Sequence, residues 1–339
     1  MIINFIMFTL QKKIILAIAL IFINLIIKRK NNELLEKKLV VFYNNLIDKA
    51  SKNILLRIIL FLDRKFFGIS HIIEKLINFE ENIPTIGIQK ATDNLLSNIF
   101  IRPIIKSNFC LDEFKQGPVI FIGMNHNLVI EPAVISSVIP RNDIYLIGNK
   151  AFEVLGGNVS KHVLPVIQKK YAVDYKGANN KARYGLLTNL ITTLYSGKKL
   201  TLKETAEINK KTFQEAVKRL NQNSAVIIFP TGRNNIGSPW RKGVGEIISR
   251  IPKERRCNVK LIPIFITGIS LKDVIGGIKT NNGKVKTIDI FFGRIIPLEE
   301  IYTGLSELNN PITISGLLRK KMFTEMSIFF PSFAGTFEN

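Results

Sequence analysis

The chain has 339 residues, enough for one large domain with an accessory region and too few for three ordinary domains. Apolar residues make up 46% of it and the mean hydropathy is +0.18, a composition that excludes a disordered chain and is apolar for a soluble enzyme. Lys and Arg number 48 against 26 Asp and Glu, and the net charge of +22 favours an anionic partner, either a nucleic acid or an anionic membrane surface.

The first 30 residues carry Lys12, Lys13, Lys28, Arg29 and Lys30 and no acid. Between the two basic clusters runs an apolar stretch, Ile14 to Ile27, interrupted by Asn24. It is shorter than the roughly 20 residues of a membrane-spanning helix. It reaches that length only if the lysines snorkel and the apolar residues before them contribute. No small-x-small cleavage site follows, so the expectation for 1–30 is an uncleaved membrane anchor or re-entrant segment rather than a signal peptide. A buried core helix is the ordinary alternative.

Residues 31–84 show helical spacing: Leu35, Leu39, Phe42 and Leu46, then Ile54–Leu62 with Arg57 inside it, then Ile69, Ile72, Ile73, Leu76 and Ile77. Basic residues beside apolar stripes suit helices in a membrane interface, and equally a helical subdomain whose stripes pack together. The segment Glu81–Thr85 reads as the boundary to a third region, 85–339.

In that region short β-rich runs alternate with helical patterns. The runs are Val119–Met124, Asp143–Gly148, Ala225–Pro230, Lys260–Gly268 and Ile288–Gly293. Phe213, Ala216, Val217 and Leu220 mark one helix, and Pro132 suits the first turn of another opening at Glu131 or Pro132. The fold class expected is α/β, a largely parallel central sheet flanked by helices, with ligands bound beyond the carboxyl ends of the strands.

The chain contains three histidines, His71, His126 and His162. His126 follows Asn125 directly after the strand-like run 119–124, and Glu131 comes five residues later. Imidazole accepts a proton near neutral pH, and a carboxylate on its other nitrogen fixes the tautomer and stabilises the imidazolium. No Ser or Cys stands in a nucleophile-elbow context, so this pair reads as a general base acting on a substrate hydroxyl. A histidine that merely caps a strand end is the bland alternative.

A second block, Phe229 to Ile247, holds a proline, then Gly232, Arg233, Asn234 and Asn235, then Arg241 and Lys242. Exposed turn amides beside guanidinium groups are a phosphate-binding device, and a solvated basic loop is the alternative. The two cysteines, Cys110 and Cys257, are far apart and match no metal spacing, so a reducing compartment and no structural metal are expected.

At these residues the sequence resembles the glycerolipid acyltransferase family, which includes the 1-acylglycerol-3-phosphate acyltransferases. The family's Asn-His, four residues, then Asp is matched by "NHNLVIE", 125–131. Its second block is similar to "IGNKAFEVLGG" and "VLPVIQKKYAVDYK", its Phe-Pro-Glu-Gly-Thr-Arg-Ser block to "FPTGRNN", and its proline-containing strand to "LIPIFITG". Together these cover residues 100–297.

The resemblance implies acyl transfer from acyl-CoA or acyl carrier protein to a hydroxyl of a glycerol phosphate or lysophospholipid. It makes His126 the base and Glu131 its partner, with acceptor phosphate at Gly232, Arg233, Asn234, Arg241 and Lys242. Asn125, Lys150 and the segment 163–176 would help shape the site. Neither a cofactor nor a metal is implied, and the partners are a membrane lipid acceptor, the acyl donor and an anionic membrane surface, with the catalytic domain on the cytoplasmic side.

Two departures stand out. Glu131 replaces the usual aspartate, as in the related lipid A acyltransferases, and Thr231 replaces the usual glutamate, with arginine one residue early at Arg233. The alternatives are a lipid A-type late acyltransferase, against which the Phe-Pro-x-Gly block argues, and a non-catalytic lipid-binding relative. A nucleic-acid binder lacks any basic-aromatic motif here.

Overall fold

The structure, a computed structural model, describes residues 69–107, 111–125, 130–150, 157–168, 172, 200–232, 238–268, 270, 273–274, 276–277, 283–302 and 310–331. The expected anchor at 1–30 and the stripes from Leu35 to Leu62 lie outside these residues. Among the described residues no helix is long and apolar enough to cross a membrane.

Helix α1, Ile69–Asn98, bends at Gly87, whose φ is 82°, three residues after Pro84. The expected boundary at Glu81–Thr85 therefore falls inside α1, just before its bend. The second arm sends Leu96, with Ile99 just beyond it, into the core against the sheet. The chain then runs β1 (Ile101–Ile105), β2 (Val119–Gly123), α2 (Glu131–Val138), β3 (Ile144–Asn149), α3 (Gly157–Lys161) and β4 (Val163–Val166). It continues through α4 (Leu202–Asn221), β5 (Ala225–Ile228), α5 (Gly243–Ser249), β6 (Lys260–Thr267), β7 (Lys286–Phe292), β8 (Ile296–Pro297), α6 (Glu299–Tyr302) and α7 (Pro311–Met326).

The strands form one sheet in the order β1-β7-β6-β2-β5-β3-β4, with β8 on β6. Strands β6, β2, β5, β3 and β4 are mutually parallel. Strand β7 is antiparallel to β6, and β1 follows β7 in parallel. The sheet is thus mixed and mostly parallel with helices on both faces, as the alternation of strand and helix predicts.

Burial follows the pleat. Val119 and Phe121 of β2 join Ala225 and Ile227 of β5 on one face, beneath Val134 and Ile135 of α2. Ile120, Ile122, Val226 and Ile228 face the other side, beneath Ala216 and Leu220 of α4 and Val244, Ile247 and Ile248 of α5. All four residues of β5 and all five of β2 are buried, which is why these segments read as continuous apolar runs rather than alternating ones.

Proline has a place in this ladder. Pro103 and Pro165 sit in β1 and β4, the two edge strands, where a missing N–H costs little and deters edge-to-edge pairing. Pro263 lies inside the sheet, but at the gap where β6 passes from β8 to β7, and its carbonyl accepts from Gly293 N–H at 2.9 Å.

The connections place the helices. Moving from β2 to β3 and on to β4 leads toward one edge, and returning from β4 to β5 and past β2 to β6 leads back. With right-handed crossovers, the outward helices cover one face and the returning helices the other. Accordingly α2 lies on one face and α4 and α5 on the opposite one. Strands β2 and β5 are neighbours whose connections leave to opposite faces, the arrangement at which such sheets have their ligand crevice, between the two carboxyl ends.

Candidate functional site at the carboxyl edge

Asn125 ends β2. The backbone ladder between β2 and β6 continues to Met124, whose N–H donates to Ile264 O at 2.8 Å. One residue on, the Asn125 side chain takes over: Nδ2 donates to Ile266 O at 2.5 Å and Oδ1 accepts from Ile266 N–H at 3.1 Å. The carboxamide mimics one more residue of strand while the main chain is released from the ladder. It is 3% exposed. His126 and residues 127–129 lie outside the described residues, so the structure fixes the strand end directly before the histidine.

Gly123, the last residue of β2, lies beneath Phe229, and a Cβ added there would overlap the ring. The aromatic that follows β5 therefore crosses the end of β2, and only glycine leaves room for it.

Glu131 opens α2, with Pro132 behind it at the first turn, as the proline predicts. The side chain is 1% exposed among apolar neighbours such as Val134 and Ile135. Burying a carboxylate is costly unless it is compensated, and the first turn of a helix offers compensation through its free N–H groups and dipole.

Across the crevice, β5 ends in Phe229 and Pro230, then turns. Gly232 takes φ 54° and its N–H donates to Phe229 O at 3.1 Å. Thr231 is 2% exposed, a buried hydroxyl at the start of the turn. Arg233, Asn234 and Asn235 lie outside the described residues.

The chain returns at Trp240, and Arg241 N–H donates to Pro230 O at 3.1 Å, which closes the loop onto the strand end. A Cβ on Gly232 would lie 3.5 Å from the Arg241 guanidinium carbon, so this exposed cation stands over the turn. Lys242 points elsewhere and pairs with Glu246 at 2.8 Å. Arg250 pairs with the same carboxylate at 2.8 Å. Burial raises the Glu246 pKa, but hydrogen bonds from Lys242 and Arg250 outweigh it and hold the carboxyl below its ordinary range.

Lys150 stands half-buried immediately past β3, on the same edge. The structure thus brings Asn125, Glu131, Lys150, Gly232 and Arg241 to the carboxyl ends of adjacent strands and leaves Lys242 engaged on α5. Of the expected acceptor segment 163–176, residues 163–168 and 172 are described, and β4 brings its carboxyl end to the same edge. Among the described residues no three metal-ligating side chains converge.

The amino edge is closed by Arg141, 6% exposed. Its guanidinium donates to both oxygens of Asp143, at 2.6 and 2.5 Å, and to the carbonyls of Phe114, Gly117 and Asn223. One side chain so ties together the loops entering β2, β3 and β5. Comparison with known protein families finds no matching model, and a search of curated proteins finds no match.

Proposed function

We propose that this chain is a membrane-associated O-acyltransferase that moves a fatty acyl group from a thioester, acyl-CoA or acyl carrier protein, to a hydroxyl of a glycerophosphate or lysophospholipid. The observation that carries the reading is the buried Glu131 carboxylate, five residues after His126, opening α2 at the crevice between β2 and β5. The Thr231–Gly232 turn and the Arg241 guanidinium on the other side of that crevice support an anionic acceptor.

In this mechanism His126 removes the proton of the acceptor hydroxyl as its oxygen attacks the thioester carbonyl. The tetrahedral intermediate collapses, the C–S bond breaks, and the thiolate leaves with the proton returned by the imidazolium. Glu131 holds the ring and stabilises its cationic form. The acid-free basic flanks of residues 1–30 support attachment to an anionic membrane, with the catalytic domain on the cytoplasmic side.

Burial of Thr231 in the slot of the family's glutamate favours a second reading, a lipid-binding relative without transfer activity. Turnover separates the two. His126→Ala should lower acyl transfer by about 10²–10⁴-fold with the fold intact, and Glu131→Gln should also lower it, because the amide carries no charge to stabilise the imidazolium. Near-normal transfer by His126→Ala refutes the mechanism. Lipid binding by the wild type with no transfer to any lysophospholipid selects the second reading.

A further inference from the structure

Helix α1 turns at Gly87, and its two arms enclose a cleft of about 300 Å³. Six side chains line it: Asn78, Glu81 and Asn82 from the first arm, and Asn94, Ser97 and Asn98 from the second. Each trio has the spacing i, i+3, i+4 that gathers side chains on one face of a helix. Two polar faces therefore border one space. Asn82 is partly exposed and the other five are exposed, so a ligand can reach all six. Among the described residues no hydrogen bond or ion pair engages these side chains.

The arms are held from outside the cleft. On the first arm the buried Glu80 carboxylate accepts from the N–H groups of Asn158 and Val159, the latter at 2.8 Å. Lys75 of the same arm donates to Gly277 O at 3.1 Å. On the second arm Gln89 donates to Ser137 O at 2.8 Å, and Leu96 is packed in the core. Gly277 reaches both arms, since a Cβ on it would overlap Ile99 O. The walls are thus fixed by residues that do not line the cleft, and the lining residues are spared any duty in the fold.

The end of the cleft at Asn78 and Asn98 lies toward the carboxyl edge. Asn78 is about 4.5 Å along the helix from Lys75, at ~1.5 Å per residue, and Asn98 adjoins Ile99, so both stand near Gly277. Strand β1 starts at Ile101 opposite Lys286, and the pairing of Thr267 with Asp289 puts Lys286 beyond the carboxyl end of β6. The cleft shares this edge with the candidate site and contains none of its residues.

We infer that the cleft binds a neutral, hydroxyl-rich group, a sugar or other polyol. Each of the four carboxamides offers two donors and an acceptor, Ser97 adds a hydroxyl, and Glu81 adds acceptor oxygens. Neighbouring hydroxyls, each both donor and acceptor, match such a mixture. A phosphate would face Glu81, and no lysine or arginine is among the described residues lining the cleft. An ammonium would engage Glu81 and leave the carboxamide donors idle. A divalent cation gathers six to eight oxygens at about 2.3–2.6 Å, whereas the space between the arms is that of a small-molecule site, for which ~300–1,000 Å³ is usual. The inference does not rest on the acyl-transfer reading.

The hydroxyls can come from a free sugar or from the sugar headgroup of a lipid, and the test has an arm for each. Equilibrium dialysis of the full chain, in a zwitterionic detergent without a sugar headgroup, uses radiolabelled glucose and myo-inositol. Flotation uses phosphatidylcholine vesicles with and without a glucosyl diacylglycerol. Saturable binding of a free sugar, or flotation that rises with the glycolipid, is expected. Asn82→Ala and Asn94→Ala, one on each arm, should each weaken that binding about three- to tenfold, the effect of one lost hydrogen bond. Glu81→Gln, which keeps the shape of the side chain, should weaken it by a similar factor. None of the three should move the urea midpoint, because these side chains are not bonded within the fold. No saturable binding of glucose, inositol or the glycolipid overturns the inference. Binding unchanged in the Asn82→Ala, Asn94→Ala double variant overturns it too, by placing the ligand elsewhere. Retention of calcium in place of the sugars, lost in Glu81→Gln, would make the cleft an ion site and also overturn it. A chain that binds sugar here and transfers no acyl group leaves this inference standing while the transfer reading falls.

Discussion

Asn125→Ala removes the carboxamide that closes β2 onto β6. Two bonds are lost, at 2.5 and 3.1 Å, and both are on Ile266, which is 4% exposed. Alanine cannot replace either, and water has little access, so the Ile266 N–H and C=O are left unmet. At about 1–3 kcal/mol for each stranded group, the loss is about 2–6 kcal/mol, a large part of the ~5–15 kcal/mol that holds a typical protein together.

Asn125→Asp separates the two bonds. The carboxylate still accepts from Ile266 N–H but turns a second oxygen on the Ile266 carbonyl. Protonated, it can donate again. Burial raises the pKa of such a carboxyl above its unfolded value, so the folded state binds the extra proton and the variant gains stability as pH falls, relative to the wild type. Urea unfolding followed by the fluorescence of Trp240, the chain's one tryptophan, reads both effects through the midpoint. An Asn125→Ala midpoint within about 0.5 kcal/mol of wild type, or an Asn125→Asp deficit that is the same at pH 5 and pH 7.5, would refute the clamp.

Gly123→Ala drives a methyl into the Phe229 ring and should cost about 1–3 kcal/mol as overpacking; Gly123→Ala with Phe229→Leu should recover most of it in the same unfolding assay. His162 is held below its ordinary pKa chiefly by burial, opposed by the bond of its Nδ1 to Ile144 O. Its folded pKa lies under the unfolded value, so it contributes stability that is lost as pH falls below about 6.5, and His162→Gln should flatten the midpoint against pH in that window.

The strands around the crevice were legible because they are buried on both faces. The runs at 119–124, 143–148, 225–230 and 260–268 each match one to within a residue or two, and helix α2 opens at Glu131 as Pro132 indicates. Strands β1 and β4 escaped because they are short edge strands broken by proline, and only half-buried over much of their length. The antiparallel sense of β7 escaped because a run of β-branched and aromatic residues carries no direction. Helix α5 was hidden by its glycines, one of which, Gly245, brings α5 against Pro311 and donates its N–H to Ser315 Oγ at 3.0 Å.

At the site, the types of Glu131, Gly232 and Arg241 announced themselves by spacing. The duty of Asn125 did not, since its partner is 141 residues away. The engagement of Lys242 by Glu246 lay within one helical turn and could have been read from the i,i+4 spacing.

Strand β1 touches the sheet only through β7, and 185 residues separate Ile101 from its partner Lys286. A ribosome adding about 5–20 residues per second needs about 10–40 s to cover that distance. Through that interval β1 has emerged while the strand it will pair with has not been made, although the second arm of α1 before it can already meet the end of α2, where Gln89 donates to Ser137 O at 2.8 Å. The nascent chain therefore passes through a stage in which β1 stands unpaired beside a helix that can already dock, and a bilayer or a chaperone bound to that strand would be displaced by the arrival of β7.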